Sequence, residues 1–501
     1  MNLATVVEMA AGHGDRDAIV SADGAVSYPQ LLERVQRCAS RLRGAAGERG
    51  YVTYLGLAGD RYLEHLLGAA WAGLPFMPLN YRSAGDQLAP LLEPFRPLLL
   101  VHDERYAEKA AECAGDGDRL ADSTETSGRA PGEALTSYPI DGEALAVVLH
   151  TSGTTSQPKA VLLRHRHLCS YIFGTVEFGS AGADETALVC VPPYHIAGIM
   201  GVLTPLYAGR RLAFLPQFDP RGWLEAAQRF DVTHGFVVPT MLTRILDALE
   251  AEPALRPAAL RHLAYGGGPI HMAVVERALR LFPEVDFVNA YGLTETSSTV
   301  ALLAPDDHRA AIGSEDPELR ARLGSVGRPL PGIEVRILDE EGSELPAGEV
   351  GLISIHGPQV SAHYHGREAP VDGFASGDLG YLDGGGYLFV AGRSDDVIVR
   401  GGENISPGEV EEVLARHPAV AGVAVVGLPD EEWGQRVVAF LEGRGEPPAD
   451  EELVAFCRES LAGFKVPADF VFVAELPRTD TGKVLRRRLR DLYPDASVER
   501  A

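Results

Sequence analysis

Residues 151–160 read Thr-Ser-Gly-Thr-Thr-Ser-Gln-Pro-Lys-Ala and follow an apolar run at 144–149. That run has the composition of a buried strand, which puts the loop at a strand end. Thr151, Ser152, Thr154 and Thr155 bring hydroxyls, Gly153 lets backbone N–H groups approach a ligand, and Lys159 adds a point charge. Such a set can wrap an anionic polyphosphate.

Further segments belong with this loop. The first, 289–296, reads Asn-Ala-Tyr-Gly-Leu-Thr-Glu-Thr. Tyr291 beside a glycine can lay its ring on a purine. Thr294 can donate to a phosphate oxygen, and Glu295 is a hard oxygen ligand suited to Mg²⁺. Read alone, it is also a common strand-end loop. The segment 376–380, Ser-Gly-Asp-Leu-Gly, holds Asp378, and 392–396, Gly-Arg-Ser-Asp-Asp, holds Arg393. An aspartate between glycines is often a turn former. As a ligand group it can accept both hydroxyls of a ribose diol, with Arg393 on the same ribose or on a phosphate. The segment 400–407 carries Gly401 and Gly402, which allow close backbone approach to a thin ligand, and then Ser406-Pro407, a helix start. Last, 476–483 ends in Gly482-Lys483. A lysine on such a loop can bring a cation into a reaction centre, or be a surface lysine in a turn.

The elements that must hold these residues alternate. Residues 28–41 have helical spacing, 51–57 resemble a strand, 61–73 a mostly buried helix and 98–102 another strand, so an α/β fold with largely parallel sheets is expected. Residues 115–141 are polar and glycine-rich and read as a surface loop. Strand-like runs at 333–338 and 349–356, after a cluster of glycine and proline, suggest a small β subdomain. From about 393 the pattern changes again, with helices near 407–416 and 450–461 and strands at 420–427 and 437–441. This reads as a separate compact α+β domain.

Composition narrows the function. A chain of 501 residues is too long for one ordinary core. Its net charge of -25 argues against general nucleic-acid binding, and 165–167 and 486–488 read as solvated helix faces. The five cysteines form no CxxC pair, which disfavours a disulfide framework or structural zinc and points to a reducing, cytoplasmic setting. No secretory signal is visible. The apolar stretch 187–209 is long enough to span a bilayer, but its prolines and His195 fit a buried strand, loop and helix better.

Together, in this order and spacing, the segments resemble the adenylate-forming superfamily of acyl-CoA synthetases, luciferases and peptide-synthetase adenylation domains. The resemblance covers nearly the whole chain. Pro192-Pro-Tyr-His-Ile-Ala-Gly198, Gly401-Gly-Glu-Asn404 and Trp433-Gly-Gln435 are most similar to stand-alone acyl- or aryl-CoA ligases. It implies a large N-terminal domain of two α/β sheets plus a small β subdomain (about 324–392), spanning 1–393, and a mobile C-terminal α+β domain, 394–501, hinged at Asp395. It further implies that the 151–159 loop holds the β- and γ-phosphates of ATP. Gly266, Gly267, Gly268 and Tyr291, in the segment opened by Asn289, would hold adenine. Asp378 and Arg393 would hold ribose, and Glu295 would hold Mg²⁺. Lys483 would serve adenylation, and rotation would replace it with Gly401 and Gly402 along the pantetheine tunnel. Trp433 and Phe464 would flank the adenine of CoA. His195 would gate acid from thiol, although in isolation it reads as a structural histidine.

The expected reaction joins a small carboxylic acid to CoA in a monomer or homodimer, with no nucleic acid and no membrane span. Segments forming the acyl pocket carry no lysine or arginine at its floor, which favours an aromatic or medium-length monocarboxylate over a dicarboxylate. Two departures from the family matter. Ser156 stands where the family loop usually has glycine, and a left-handed backbone there would cost roughly 1–2 kcal/mol. Ala468 stands directly after Pro467, where related CoA ligases often carry a basic residue that helps hold the nucleotide phosphates of CoA. Two other acceptor chemistries therefore stay open: a carrier-protein thiol, or nitrite activated for an arylamine by an ATP-dependent diazotase. A non-catalytic nucleotide sensor on the same fold is the alternative from another class.

Overall fold

The structure, a computed structural model, describes residues 1–47, 50–151, 158–368, 370, 373–479 and 482–492. Among these, two sheets with parallel cores form the bulk of the N-terminal part. A six-stranded sheet is built from Tyr51–Leu55, Phe76–Pro78, Leu98–His102, Arg119–Asp122 and Leu145–Thr151 in parallel, closed by Lys159–Arg164 running antiparallel to Leu145–Thr151. A nine-stranded sheet has a parallel centre of Arg211–Phe214, Thr186–Val189, His234–Val237, His262–Gly266 and Asp286–Leu293. Ser298–Leu303 then folds back antiparallel on Asp286–Leu293.

Local sequence explains the elements. Strands covered by helices on both faces must be apolar throughout, and Leu98–His102 and Thr186–Val189 are buried at every position. The helix Tyr28–Ala46 opens with a capping box: the Ser27 amide donates to Gln30 Oε1 at 3.0 Å, and the Gln30 amide donates to Ser27 Oγ at 3.4 Å. The helix Asp60–Ala72 is buried from Tyr62 onward and ends at Gly73, whose φ of 73° suits glycine. Residues 187–209 form the end of one strand and the buried helix Ile196–Ala208. Among the described residues no helix is long and apolar enough to cross a membrane.

A four-stranded antiparallel sheet follows, Glu334–Leu338, Gly351–His356, Phe374–Leu382 and Leu388–Arg393. Beyond it lie a hairpin, Ile398–Arg400 with Glu403–Ile405, and a three-stranded sheet of Val420–Asp430, Gly434–Gly443 and Asp469–Val473 backed by Pro407–Leu414 and Asp450–Arg458. One apolar cluster here, with Ile398, Val410, Leu414, Val425, Leu441 and Leu453, draws only on residues from 398 onward.

Four expectations change. Residues 115–141 are not all loop: Arg119–Asp122 pairs with Leu98–His102 as an edge strand, and Ser123–Thr126 is helical. An edge strand with one exposed side can be polar, which hid it. Asp378 sits not in a turn but within the strand Phe374–Leu382, where Gly377 takes a φ of 74° inside the irregular pairing with Gly351–His356. The cluster at 165–167 is not a solvated face, because His165 and His167 are buried. Nor is 486–488: Arg486 turns inward and its side chain is 19% exposed, against 67% for Arg487.

Candidate active site

Sequence-predicted groups meet beyond the carboxyl ends of the parallel strands, where open α/β sheets bind ligands. Gly266 ends one strand in register with Ala290 of the next. A Cβ at Gly266 would lie 2.1 Å from the Ala290 carbonyl oxygen, so only glycine fits. Asn289 and Tyr291 lie on the neighbouring strand, and Asn289 Nδ2 donates to the Ser325 carbonyl at 3.1 Å. Thr294 and Glu295 follow in a short 3₁₀ turn, Thr294–Thr296. Glu295 is 8% exposed.

Asp378 joins two of the predicted groups. It pairs in register with Arg393 across the β subdomain. Arg393 Nη1 donates to Asp378 Oδ1 at 2.9 Å and to the Ser376 carbonyl at 2.9 Å. The Tyr291 hydroxyl donates to Asp378 Oδ2 at 2.6 Å. Burial, then the Asp378 charge, pushes the Tyr291 phenol well above its ordinary value, so it remains a donor. Each carboxylate oxygen has a further lone pair for a ligand hydroxyl.

Lys483 enters this site from the far end of the chain. Its Cγ is 3.7 Å from where a Cβ on Gly268 would stand, and Gly482 packs on Thr240. Lys483 is exposed as a residue, but protein atoms crowded around its ammonium lower it below its ordinary value; Asp378 and Glu295 oppose that shift, and Arg393 adds to it. The loop holding it is a tight return: the Thr479 amide donates to the Lys483 carbonyl at 2.7 Å, and the Lys483 amide to Thr479 Oγ1 at 3.1 Å. The helix after it, Arg486–Leu492, is fixed by Arg486, which donates to both Glu411 oxygens at 2.8 and 2.9 Å.

Thr151 and Lys159 face each other across the base of the predicted phosphate loop, in register. Ser152, Gly153, Thr154 and Thr155, with Ser156, lie outside the described residues. His195 directly precedes the helix Ile196–Ala208, its ring against Tyr194. Gly401, Gly402, Trp433 and Phe464 are gathered elsewhere. Gly401 and Gly402 form the tip of the 398–405 hairpin with φ of 59° and 87°, and Gly401 packs on the Trp433 ring. The Arg400 guanidinium lies 5.7 Å from the centroid of that ring and donates to the Phe464 carbonyl. Trp433 and Phe464 are exposed.

Sequence reasoning passed over Tyr364, whose hydroxyl donates to Glu295 Oε1 at 2.8 Å. Burial, then the Glu295 charge, raises its phenol well above the ordinary value. It lies in a His-Tyr-His run with no chemical spacing, so no local signal marks it.

The chain is similar to known proteins along nearly its whole length. The family described as AMP-binding enzyme matches residues 6–365, and the AMP-binding enzyme C-terminal domain matches 409–483. The chain is 32% identical to the fatty acid–[acyl-carrier-protein] ligase ScoC of Streptomyces coeruleorubidus, over 98% of this chain and 97% of that protein. It is 35% identical to a feruloyl-CoA synthase of Amycolatopsis sp, over 93% and 94%. The structure of o-succinylbenzoate CoA synthetase from Bacillus subtilis, in complex with its acyl-adenylate intermediate, superposes with a TM-score of 0.85 at 28% identity, covering 97% of this chain and 98% of that one. That synthetase is also known with ATP and a magnesium ion. Family profiles over both parts of the chain, and relatives matched along nearly its whole length, make it a member of the AMP-binding enzyme family.

Proposed function

We propose that the chain is an AMP-forming carboxylate–CoA ligase that adenylates an aromatic or medium-length acid with MgATP and passes the acyl group to CoA. The observation that carries this reading is the convergence of Lys483 with Gly268 and with the charges of Asp378, Arg393 and Glu295, on a side chain that stays open to solvent and so to a ligand. A carboxylate attacking the α-phosphate of ATP brings two anions together. One cation at ~4 Å is worth about 4 kcal/mol at an effective dielectric of ~20. Lys483 supplies that charge where the transition state needs it. Asp378 receives the ribose hydroxyls, Arg393 and Tyr291 hold Asp378, and Gly266, Gly267 and Gly268 leave room for adenine.

Glu295 suits the magnesium ion. Among the described residues no cluster of three or more His, Cys, Asp or Glu could hold a metal. A lone buried carboxylate matches Mg²⁺, which takes one or two carboxylates plus substrate phosphates. When bound, the ion offsets charge on the ATP phosphates.

The domain boundary at 393/394, with its hinge at Asp395, belongs to the same proposal. The second half-reaction needs Lys483 withdrawn and the face bearing Gly401, Gly402, Trp433 and Phe464 turned toward His195 and the acyl group. Supporting this, the two sets of residues occupy separate places. The similarity to feruloyl-CoA synthase favours an acid–CoA ligase over a nitrite-activating diazotase. The similarity to ScoC supports a second acceptor, a carrier-protein thiol, as does the lack of a basic residue directly after Pro467.

Pyrophosphate release from MgATP, across aromatic and aliphatic acids with and without CoA, tests the reading. Thioester formation that accelerates turnover is expected. An acyl-adenylate that only a carrier protein discharges would support the second acceptor, and release with nitrite alone would overturn both.

A further inference from the structure

The segment after the strand Gly351–His356 runs as a strap between two parts of the site. On one side it grips the Glu295 turn. Gln359, 4% exposed, donates Nε2 to the carbonyls of Thr296 and Thr299 at 3.0 and 2.7 Å. The amides of Ser361 and Ala362 donate to the Glu295 carbonyl at 2.8 and 3.2 Å. On the other side it grips the strand Lys159–Arg164 that leaves the phosphate loop. The Leu162 amide donates to the His363 carbonyl at 2.8 Å, the His365 amide to the Ala160 carbonyl at 2.9 Å, and Ser361 Oγ to the Leu162 carbonyl at 2.5 Å. Tyr364 bridges Val161.

The strap and the Glu295 turn are both strained. Ala362 has a φ of 48°, and Ser297 and Ser298, just past Glu295, have 54° and 115°. Non-glycine residues cost free energy there and persist where surroundings over-determine them. Tyr364 is the side chain at the crossing. Its hydroxyl reaches Glu295 Oε1, and Lys159 Nζ lies 5.6 Å from its ring centroid. Among the described residues no donor reaches the other Glu295 oxygen.

We propose that Tyr364 is a positioning residue that fixes the Glu295 carboxylate for the divalent cation accompanying ATP, and that the 359–365 strap ties this carboxylate to the strand Lys159–Arg164. The inference rests on the reading of Glu295 as the cation ligand. The tyrosine occupies one carboxylate oxygen and sets the rotation of the group, leaving the other for the ion. Groups that orient a metal ligand in this way typically contribute 10–100-fold in metal affinity.

The test is Mn²⁺ binding, followed by electron paramagnetic resonance, to full-length protein with α,β-methylene-ATP. Tyr364→Phe removes only the hydroxyl. It is expected to weaken Mn²⁺ at least about 10-fold, with nucleotide affinity in EDTA unchanged and the native circular dichroism spectrum retained. An unchanged Mn²⁺ constant, while Glu295→Gln loses the ion, would overturn the role of Tyr364 and leave the assignment of Glu295 standing. Unchanged binding in both variants would remove Glu295 as the ligand and overturn the inference with it.

Discussion

In the proposed nucleotide site, Asp378 is the side chain that gathers the others. It is 7% exposed and holds both Tyr291 and Arg393. Hydrogen bonds to a charged group are worth about 1.5–3 kcal/mol. Asp378→Asn should therefore raise the KM for ATP by roughly 10–100-fold, read from pyrophosphate release; an unaltered KM would separate Asp378 from the nucleotide. Asp378 and Arg393 were legible as types in the sequence, but their pairing was not. It depends on the register of two strands with an irregular step between Leu379 and Gly380. Tyr364 was illegible for a related reason: its partner Glu295 is 69 residues away, and no short motif encodes such a contact.

At the scale of elements, the Lys483 loop is only as well placed as the helix behind it. Arg486 joins Glu411 and Asp396, and Arg490 also reaches Asp396 at 3.1 Å, in the 3₁₀ turn that holds the proposed hinge. Glu411 further accepts the Val425 amide at 2.7 Å. Removing one partner of a buried pair leaves an uncompensated charge, at a cost of roughly 3–5 kcal/mol. Arg486→Gln should speed hydrogen exchange in Pro407–Leu414 and Val420–Asp430 by that free energy and slow adenylation. Exchange equal to the wild type would show the pair to be dispensable. The three successive arginines hid this role, because sequence does not say which face of a short helix is covered. By contrast, the long helices and apolar parallel strands were readable, since their spacing and burial coincide. The strand Asp469–Val473 escaped because it completes its sheet as a half-buried edge beside Gly434–Gly443.

The whole molecule carries several histidines held neutral by burial. His65, His150 and His165 are lowered to about 4, and His167 and His234 to about 3, burial being the first cause in each. Their folded values lie below the ordinary 6.5, so the unfolded chain binds protons first. Stability is full above pH 6.5 and falls as pH drops toward 4, by up to about 1.4 kcal/mol per histidine per pH unit. Glu64, raised by burial, works the other way, because its contribution is lost as pH rises through its folded value. Urea midpoints between pH 7 and 5 should fall, with net proton uptake on unfolding; a flat profile would contradict the neutral assignments. On the proposed reading, one chain performs two half-reactions with two different faces. Lys483→Ala tests it most directly when the halves are assayed apart, adenylation by pyrophosphate release and thioester formation from a preformed acyl-adenylate. Adenylation should fall by roughly two to three orders of magnitude. In the wild type it should decline as pH rises through the depressed lysine value, below 10.5. The thioester step should be largely spared. Equal loss in both halves would contradict the two-face account.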